Sequence, residues 1–402
     1  MGNFNYPVLA DRDNCTACGG CSQVCAHQAI IMQPNEKGFL YPFVDSSKCI
    51  MCGMCERVCP VVSPRNVRND MPNKAYACWH KDKQVRMVSS SGGFFSAIAE
   101  YILNSGGIVW GAAYTTEMKV TYPYVDKIEN LDILRRSKYV QCEVGNAFVQ
   151  IKQQLNKGVT VLFTGTSCHE NGLYAFLENN KNLDKLITID LVCHGVPSPK
   201  VFRSYLDWIE CKFDDKLKDF NFRDKRYGWC NGVLSVGSFV HKGEKKFVGN
   251  NNSFFTGMLS NVFLRPVCYQ CRSNGLQRNA DFTIGDFWGL GKREEFSRSI
   301  EKEFGISLVV LNSSKAEEVF QNINQLIKVE RNFEEAYNGN YNYILSSPAN
   351  SMTTPFWNDF VKTNSWEHVL SCFKLPFGQR CKLFLKLLLG PKIIRKIKIL
   401  KG

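Results

Sequence analysis

The 402-residue chain predicts an α/β core, α+β over its whole length, behind a small cysteine-rich domain. Three observations carry this. Two cysteine runs of identical spacing fall within residues 15–59. From Ala75 onward, apolar strand-like runs alternate with segments of helical periodicity. A polar stretch, SPRNVRNDMPNK (63–74), reads as the linker between the two regions.

Composition narrows the class. Hydrophobic residues make up 44% of the chain, and no run of about 18 apolar residues occurs, which excludes an obvious spanning helix. The opening MGNFNYPVLADRDNC lacks the apolar region of a secretory signal, and Tyr6 stands where a myristoylation signal needs Ser or Thr. A cytoplasmic protein is expected. Eighteen cysteines in a reducing compartment then point to metal or iron–sulfur binding and not to disulfides.

The N-terminal element comes first. CTACGGCSQVC holds Cys15, Cys18, Cys21 and Cys25; CIMCGMCERVCP holds Cys49, Cys52, Cys55 and Cys59. Both runs are C-x2-C-x2-C-x3-C, the spacing of bacterial two-cluster ferredoxins. Three thiolates on a tight loop reach three corners of a cubane, and the fourth points away to the other cluster. Cys15, Cys18, Cys21 and Cys59 are therefore expected to hold one 4Fe–4S cluster, and Cys49, Cys52, Cys55 and Cys25 the other. Ala26 stands where a proline would match the pattern. Two zinc knots are the alternative, but zinc does not require eight ligands in this register. Residues 1–66 thus read as a 2[4Fe-4S] ferredoxin-like domain, a conduit for single electrons whose source or sink lies in residues 75–350.

The core follows in order. GGFFSAIAEYIL (92–103), EVGNAFVQIKQQLN (143–156) and VFRSYLDWIE (201–210) suit helices. GIVWGAAY (107–114), VTVLF (159–163), LITIDLVC (186–193), LSVGSFV (234–240), DFTIGDF (281–287) and SLVVL (307–311) suit strands. Residues 351–402 read as a basic, apolar C-terminal tail. From His368 to Gly402 there are nine Lys or Arg and no acid, so much of the net charge of +13 sits there.

Four later cysteines occupy expected loops. Cys168 follows VTVLFTGTS, Cys193 ends LITIDLVC, and Cys268 and Cys271 form PVCYQC. Loops after successive strands gather on one rim of an open α/β sheet, so a four-thiolate site is one reading. Buried small residues are a second. A Cys–His nucleophile at 168–169 or 193–194 is a third, weakened because adjacent residues seldom aim their side chains at one another.

SSSGGFFSAIAEYIL (89–103), RRSKYVQ (135–141), VLFTGTSCHENGL (161–173), DLVCHGVPSP (190–199), FRDKRYGW (222–229) and CYQCRSNGLQRNADFTIGDFWG (268–289) occur in this order. Together they resemble the beta subunit family of coenzyme F420 hydrogenases and dehydrogenases, with a fused two-cluster ferredoxin. The resemblance runs to about residue 330. It implies an FAD in an α/β flavin-binding core over 75–350 and a third 4Fe–4S cluster on Cys168, Cys193, Cys268 and Cys271. His169 replaces a glutamine common in the family. Because the family includes chlorophyll-pathway reductases, membership does not fix the substrate.

The flavin is expected at SSSGG, where Ser90, Ser91, Gly92 and Gly93 precede a helix N-terminus able to cradle phosphate. Helix capping alone would also account for the serines. Arg136 and Lys138 are expected to offer charge to a pyrophosphate or reduced flavin, with plain surface charge as the alternative. Asp286, with Asp281, Trp288 and Arg278, is expected to shape the site beside the C-x2-C pair. No G-x-G-x-x-G, Walker A or H-E-x-x-H motif occurs. No residue is assigned a catalytic role.

The expected function is an iron–sulfur flavoprotein oxidoreductase passing electrons between 4Fe–4S clusters and FAD to act on an organic substrate or deazaflavin-type coenzyme. The resemblance makes a sugar-related substrate one option. The redox partner is a ferredoxin, a deazaflavin or a nicotinamide donor. The rivals are a non-catalytic electron-transfer subunit and a cluster-stabilised binding protein. The tail (380–402) suggests peripheral contact with the inner face of a membrane, against a plain solvated terminus. No nucleic-acid reading motif accompanies its charge, and a homo-oligomer is compatible with the sequence.

Overall fold

The computed structural model describes residues 7–68, 70–229, 234–248, 252–290 and 302–370. A hairpin of β1 (Ile30–Pro34) and β2 (Leu40–Val44) backs the cysteine loops, each of which enters a short helix, Gly20–Val24 or Met54–Arg57.

The core is a mixed sheet of eight strands. Their order is β15 (Leu326–Arg331), β3 (Lys74–His80), β14 (Ser307–Leu311), β13 (Phe282–Asp286), β9 (Leu186–Leu191), β8 (Val161–Thr166), β4 (Ile108–Trp110) and β7 (Tyr124–Val125). The strands β13, β9, β8 and β4 pair parallel; the flanking strands pair antiparallel. β14 is buried at every position and β9 at all but Leu191, as strands covered on both faces must be. One face packs on the helices Phe94–Asn104 and Ser314–Asn322, through Phe94, Ile98 and Phe320. The other packs on Ala147–Asn156 and Pro199–Phe213, through Phe148, Phe202 and Tyr205.

This topology builds a rim. The parallel strands β8, β9 and β13 end together, leading into Cys168, into Cys193 and at Asp286. Asp286 pairs with Ser307, and Ser307 pairs with Cys78 of β3, so the segment after β3 reaches the same rim.

Four sequence expectations change. The strand expected over 107–114 breaks at Gly111 into β4 and β5 (Ala113–Tyr114), which pairs with β6 (Val120–Thr121) in another sheet. The helix expected over 143–156 starts only at Ala147, because Glu143 bridges Thr121. The strand expected over 234–240 is β11 (Ser235–Phe239), which lies outside the main sheet between β10 (Leu217–Asn221) and β12 (Gly243–Phe247).

Finally, the tail expected from 351 begins with two core helices, Thr353–Thr363 and Trp366–Val369. Phe356, Trp357, Phe360 and Trp366 are buried, and Trp357 meets Phe39 edge-on at 5.9 Å. Their aromatic area, about 150–250 Å² per ring system, outweighs the polar spacing that suggested a tail. Residues 371–402, with the expected membrane-contacting segment, lie outside the described residues. Among the described residues no helix is long and apolar enough to cross a membrane.

Candidate redox centre

The two N-terminal cysteine loops share one backbone shape. Ala17 and Met51, at equivalent positions, have φ of 55° and 57°, and Gly19 and Gly53 both have φ of 71°. A left-handed non-glycine residue costs roughly 1–2 kcal/mol, so its repetition in both loops reflects a common constraint. The turn brings backbone N–H groups onto sulfur: Ala17 donates to Cys15 Sγ at 3.4 Å. Cys15, Cys18, Cys21 and Cys59 line one small hollow, with Met32 and Pro42 from the hairpin. Cys25, Cys49, Cys52 and Cys55 line another.

The thiols thus group across the two runs in the pattern that the spacing predicts. Burial pushes the Cys18 thiol up to about 12, with the neighbouring charges of Cys15 and Cys59 adding to the effect. Crowded, dry thiols resist ionisation unless a positive core sits between them, so this donor set fits an iron–sulfur cluster.

The second cysteine set converges from three parts of the chain. Cys168 lies in the first turn of the helix Ser167–Leu177, directly after β8. Cys193 follows β9, and Cys268 lies on the turn Pro266–Gln270 with Cys271 just after it. All four line one cavity of about 640 Å³. They act on one another electrically: Cys268, Cys168 and Cys271 all add to the burial that raises the Cys193 thiol. Among the described residues no three His, Cys, Asp or Glu side chains converge on a single metal-ion position.

The nucleophile reading finds little support. Burial, then the charge of Cys271, pushes Cys168 up to about 11. At neutral pH the thiolate fraction is then on the order of one in ten thousand. His169 turns to Tyr122, with Nδ1 3.0 Å from the hydroxyl, and His194 Nδ1 lies 3.2 Å from Asn342 Oδ1. Burial and the Arg265 charge lower His169 to about 4, so its ring is neutral.

The far wall of the cavity was missed by sequence reasoning. It consists of Asn14, Thr16, Pro60 and Val61 from the N-terminal domain and Pro64 to Arg68 from the segment read as a linker. Arg65 pairs with Glu178 at 2.8 Å, and the Arg68 guanidinium lies 4.7 Å from the Tyr174 ring centre. The sole signal was two arginines within an otherwise unremarked polar stretch. Arg278 is buried against Asp190 at 3.1 Å, while Asp281 accepts from Thr188 N at 2.9 Å and Ser313 Oγ at 2.7 Å. Both residues brace the rim.

Ser90, Ser91, Gly92 and Gly93 lie further along the same rim. Ser90 Oγ accepts from Ser137 N at 2.8 Å, Ser91 Oγ donates to Ile306 O at 2.8 Å, and Gly92 N donates to Ser307 Oγ at 3.0 Å. Gly93 then opens the helix Phe94–Asn104. Arg136 and Lys138 are engaged elsewhere. Arg136 pairs with Asp219 at 2.8 Å, and Lys138 Nζ donates to Ile133 O at 2.9 Å and Arg135 O at 2.5 Å. Side chains of FRDKRYGW also reach this region.

Lys225 Nζ donates to Ser91 O at 2.6 Å, to Phe304 O at 2.7 Å and to Arg86 O. Arg223 Nη1 and Trp229 Nε1 donate to Asp286 at 2.9 and 2.8 Å, and Trp229 stacks on Trp288 at 4.7 Å. Among the described residues, buried Arg223 Nη2 has no hydrogen-bond partner. An unpaired guanidinium donor beside the rim residue Asp286 suits an anionic group such as a pyrophosphate.

Comparison with known proteins agrees in part. Residues 158–334 match the family described as the C-terminal region of the beta chain of coenzyme F420 hydrogenase/dehydrogenase. Residues 14–62 match the 4Fe–4S dicluster domain. Among solved structures, the chain is similar to the F420-reducing [NiFe] hydrogenase complex from Methanosarcina barkeri, in a xenon-derivatised form. The identity is 14% over 74% of this chain and 91% of that one, with a TM-score of 0.44. No curated protein matches the chain.

Proposed function

Because residues 158–334 belong to the C-terminal domain of the coenzyme F420 hydrogenase/dehydrogenase beta subunits, and residues 14–62 are a 4Fe–4S dicluster domain, we propose that the chain is an iron–sulfur flavoprotein oxidoreductase. One observation carries the reading: four thiols from distant segments line a cavity whose other wall is the dicluster domain. Cys15, Cys18, Cys21 and Cys59 hold one cluster, and Cys25, Cys49, Cys52 and Cys55 a second. Cys168, Cys193, Cys268 and Cys271 hold a third. FAD lies along the rim, its phosphates at Ser90 to Gly93 and Arg223.

Flavin supplies the exchange between a hydride's electron pair and single electrons. The protein's own share is position and exclusion. Lys225 pins the Ser91 carbonyl, Asp286 fixes Arg223 and Trp229, and Cys15 and Cys18 of the first set are buried.

A second reading has its own support. Ile31, Phe43, Ile50, Met51 and Met54 are exposed apolar residues, and Cys52 among them is exposed as well. Ile31 and Phe43 are cross-strand partners, so they form one patch. Such a face beside a cluster site suits docking of a one-electron partner, and an electron-transfer subunit would need it.

Iron, labile sulfide and flavin per anaerobically purified chain test the proposal. About twelve irons and one flavin support it. About eight irons without flavin would reduce the chain to a dicluster carrier.

A further inference from the structure

Arg265 is fully buried, and among the described residues no carboxylate lies within 4.0 Å of it. Arg278, also buried, meets Asp190 at 3.1 Å, and the part-buried Arg223 meets Asp286 at 2.9 Å. Among the described residues, the acceptors of the Arg265 side chain are neutral. Its Nε donates to Cys15 O at 2.7 Å, its Nη1 to Gln141 Oε1 at 3.1 Å and its Nη2 to Leu40 O at 3.0 Å. Its guanidinium lies 4.3 Å from the Tyr41 ring centre. These contacts satisfy donors but leave the charge uncompensated, an arrangement that is strongly unfavourable in a dry interior.

The missing counter-charge has two candidates. Arg265 lines the four-thiol cavity, and its backbone N–H is fixed to Val196 O at 2.9 Å beside Cys193 and Gly195. Through Nε it meets the Cys15 carbonyl, and it lines the cavity together with Cys168 and Cys268. Cys15 belongs to the first thiol set, and Cys168 and Cys268 to the cavity set. None of its contacts reaches Cys25, Cys49, Cys52 or Cys55.

We propose that Arg265 is a positioning residue that serves as shared counter-charge for two clusters, one on Cys15, Cys18, Cys21 and Cys59 and one on Cys168, Cys193, Cys268 and Cys271. The proposal rests on the reading that the cavity thiols hold a cluster. Each reduction adds one electron, and hence one negative charge, to a cluster already carrying four thiolates. A fixed cation in a low dielectric favours that reduced form. Arg265 therefore raises both reduction potentials and keeps its own proton throughout. The cluster at the Cys25 set, outside its reach, keeps its own potential.

The test is an EPR-monitored redox titration of the full chain in four forms: wild type, Arg265→Met, Arg265→Lys and Gln141→Glu. Arg265→Met is expected to lower two midpoints and leave the third unchanged. Arg265→Lys, which keeps the charge, is expected to stay near wild type. Gln141→Glu puts a carboxylate against Nη1 and is expected to lower the same two midpoints with the arginine still present. If Arg265→Met loses its clusters, Gln141→Glu decides alone.

Unchanged midpoints in Gln141→Glu, an equal shift of all three in Arg265→Met, or a shift in Arg265→Lys as large as in Arg265→Met would overturn the proposal. Iron analysis separates this from the underlying reading. About eight irons in wild type would remove the cavity cluster and with it the shared role, even if the midpoint of the Cys15 set alone still falls.

Discussion

Gly172 lies directly against Cys18: a Cβ on Gly172 would stand 2.5 Å from Cys18 Cβ and 2.8 Å from its sulfur. The same helix carries Cys168 one turn earlier, so it touches both thiol sites. Alanine at 172 would gain about 1 kcal/mol of helix propensity. The clash opposes this, since overpacking a tight contact costs roughly 1–3 kcal/mol. Gly172→Ala is therefore expected to lower the urea midpoint and loosen the iron at Cys18. An unchanged midpoint with full iron would mean that the two domains meet loosely there.

Cys168→Ser separates ligand from nucleophile. The expected result is a fall from about twelve irons per chain to about eight, with flavin retained. Equal iron in both proteins, with loss of turnover in the mutant, would instead make Cys168 a reacting thiol.

The loop proposed to hold the flavin phosphates can be tested without weakening the fold. Ser90→Asp puts an anion near the N-terminus of the helix Phe94–Asn104. There a carboxylate typically stabilises the helix by about 0.3–1 kcal/mol, yet it would repel a phosphate. FAD affinity is expected to fall by about tenfold or more, about 1.4 kcal/mol, with iron content unchanged. Full flavin occupancy in Ser90→Asp would move the phosphate site elsewhere.

The exposed face at the Cys25 set is expected to govern electron entry. Ile50 is 62% exposed, so Ile50→Lys should leave stability and cluster content intact. Reduction by a one-electron protein donor should slow about tenfold, while dithionite reduction stays unchanged. Equal slowing with both donors would point to altered clusters and not to a lost docking face.

Lys225 predicts a pH effect. Burial, helped by Arg86 and Arg223 and opposed by Asp286, lowers its ammonium to about 7. The unfolded chain then holds this proton between about pH 7 and 10.4 while the folded chain has released it. Stability from this group rises with pH across that window, and its penalty is complete below it. Urea midpoints measured over this range should climb more steeply in wild type than in Lys225→Met. Parallel slopes would mean that the three carbonyls around Nζ keep the proton in place.

Much was legible along the chain, for reasons that differ by element. The N-terminal thiol grouping followed from spacing, because three cysteines of each run share one tight loop while the fourth points away to the other set. SLVVL was read with its true bounds, since a strand buried on both faces is apolar throughout. The glycine-broken strand at 107–114 was misread, because its second half pairs in a different sheet and no local pattern marks that switch. Arg136 and Lys138 drew attention as charges, but whether a charge faces a cofactor or a neighbouring carbonyl depends on packing.

The sequence by itself determined the two cysteine loops, the strand–helix alternation and the positions of the later cysteines. These follow from backbone geometry, periodicity and turn chemistry acting over short stretches. Tertiary structure alone decided that Cys168, Cys193, Cys268 and Cys271 share one cavity, that the polar linker walls it, and that among the described residues Arg265 has no carboxylate within 4.0 Å. Those facts depend on strand order and on which side chains lose water together, and burial of that kind is a property of the whole packed chain.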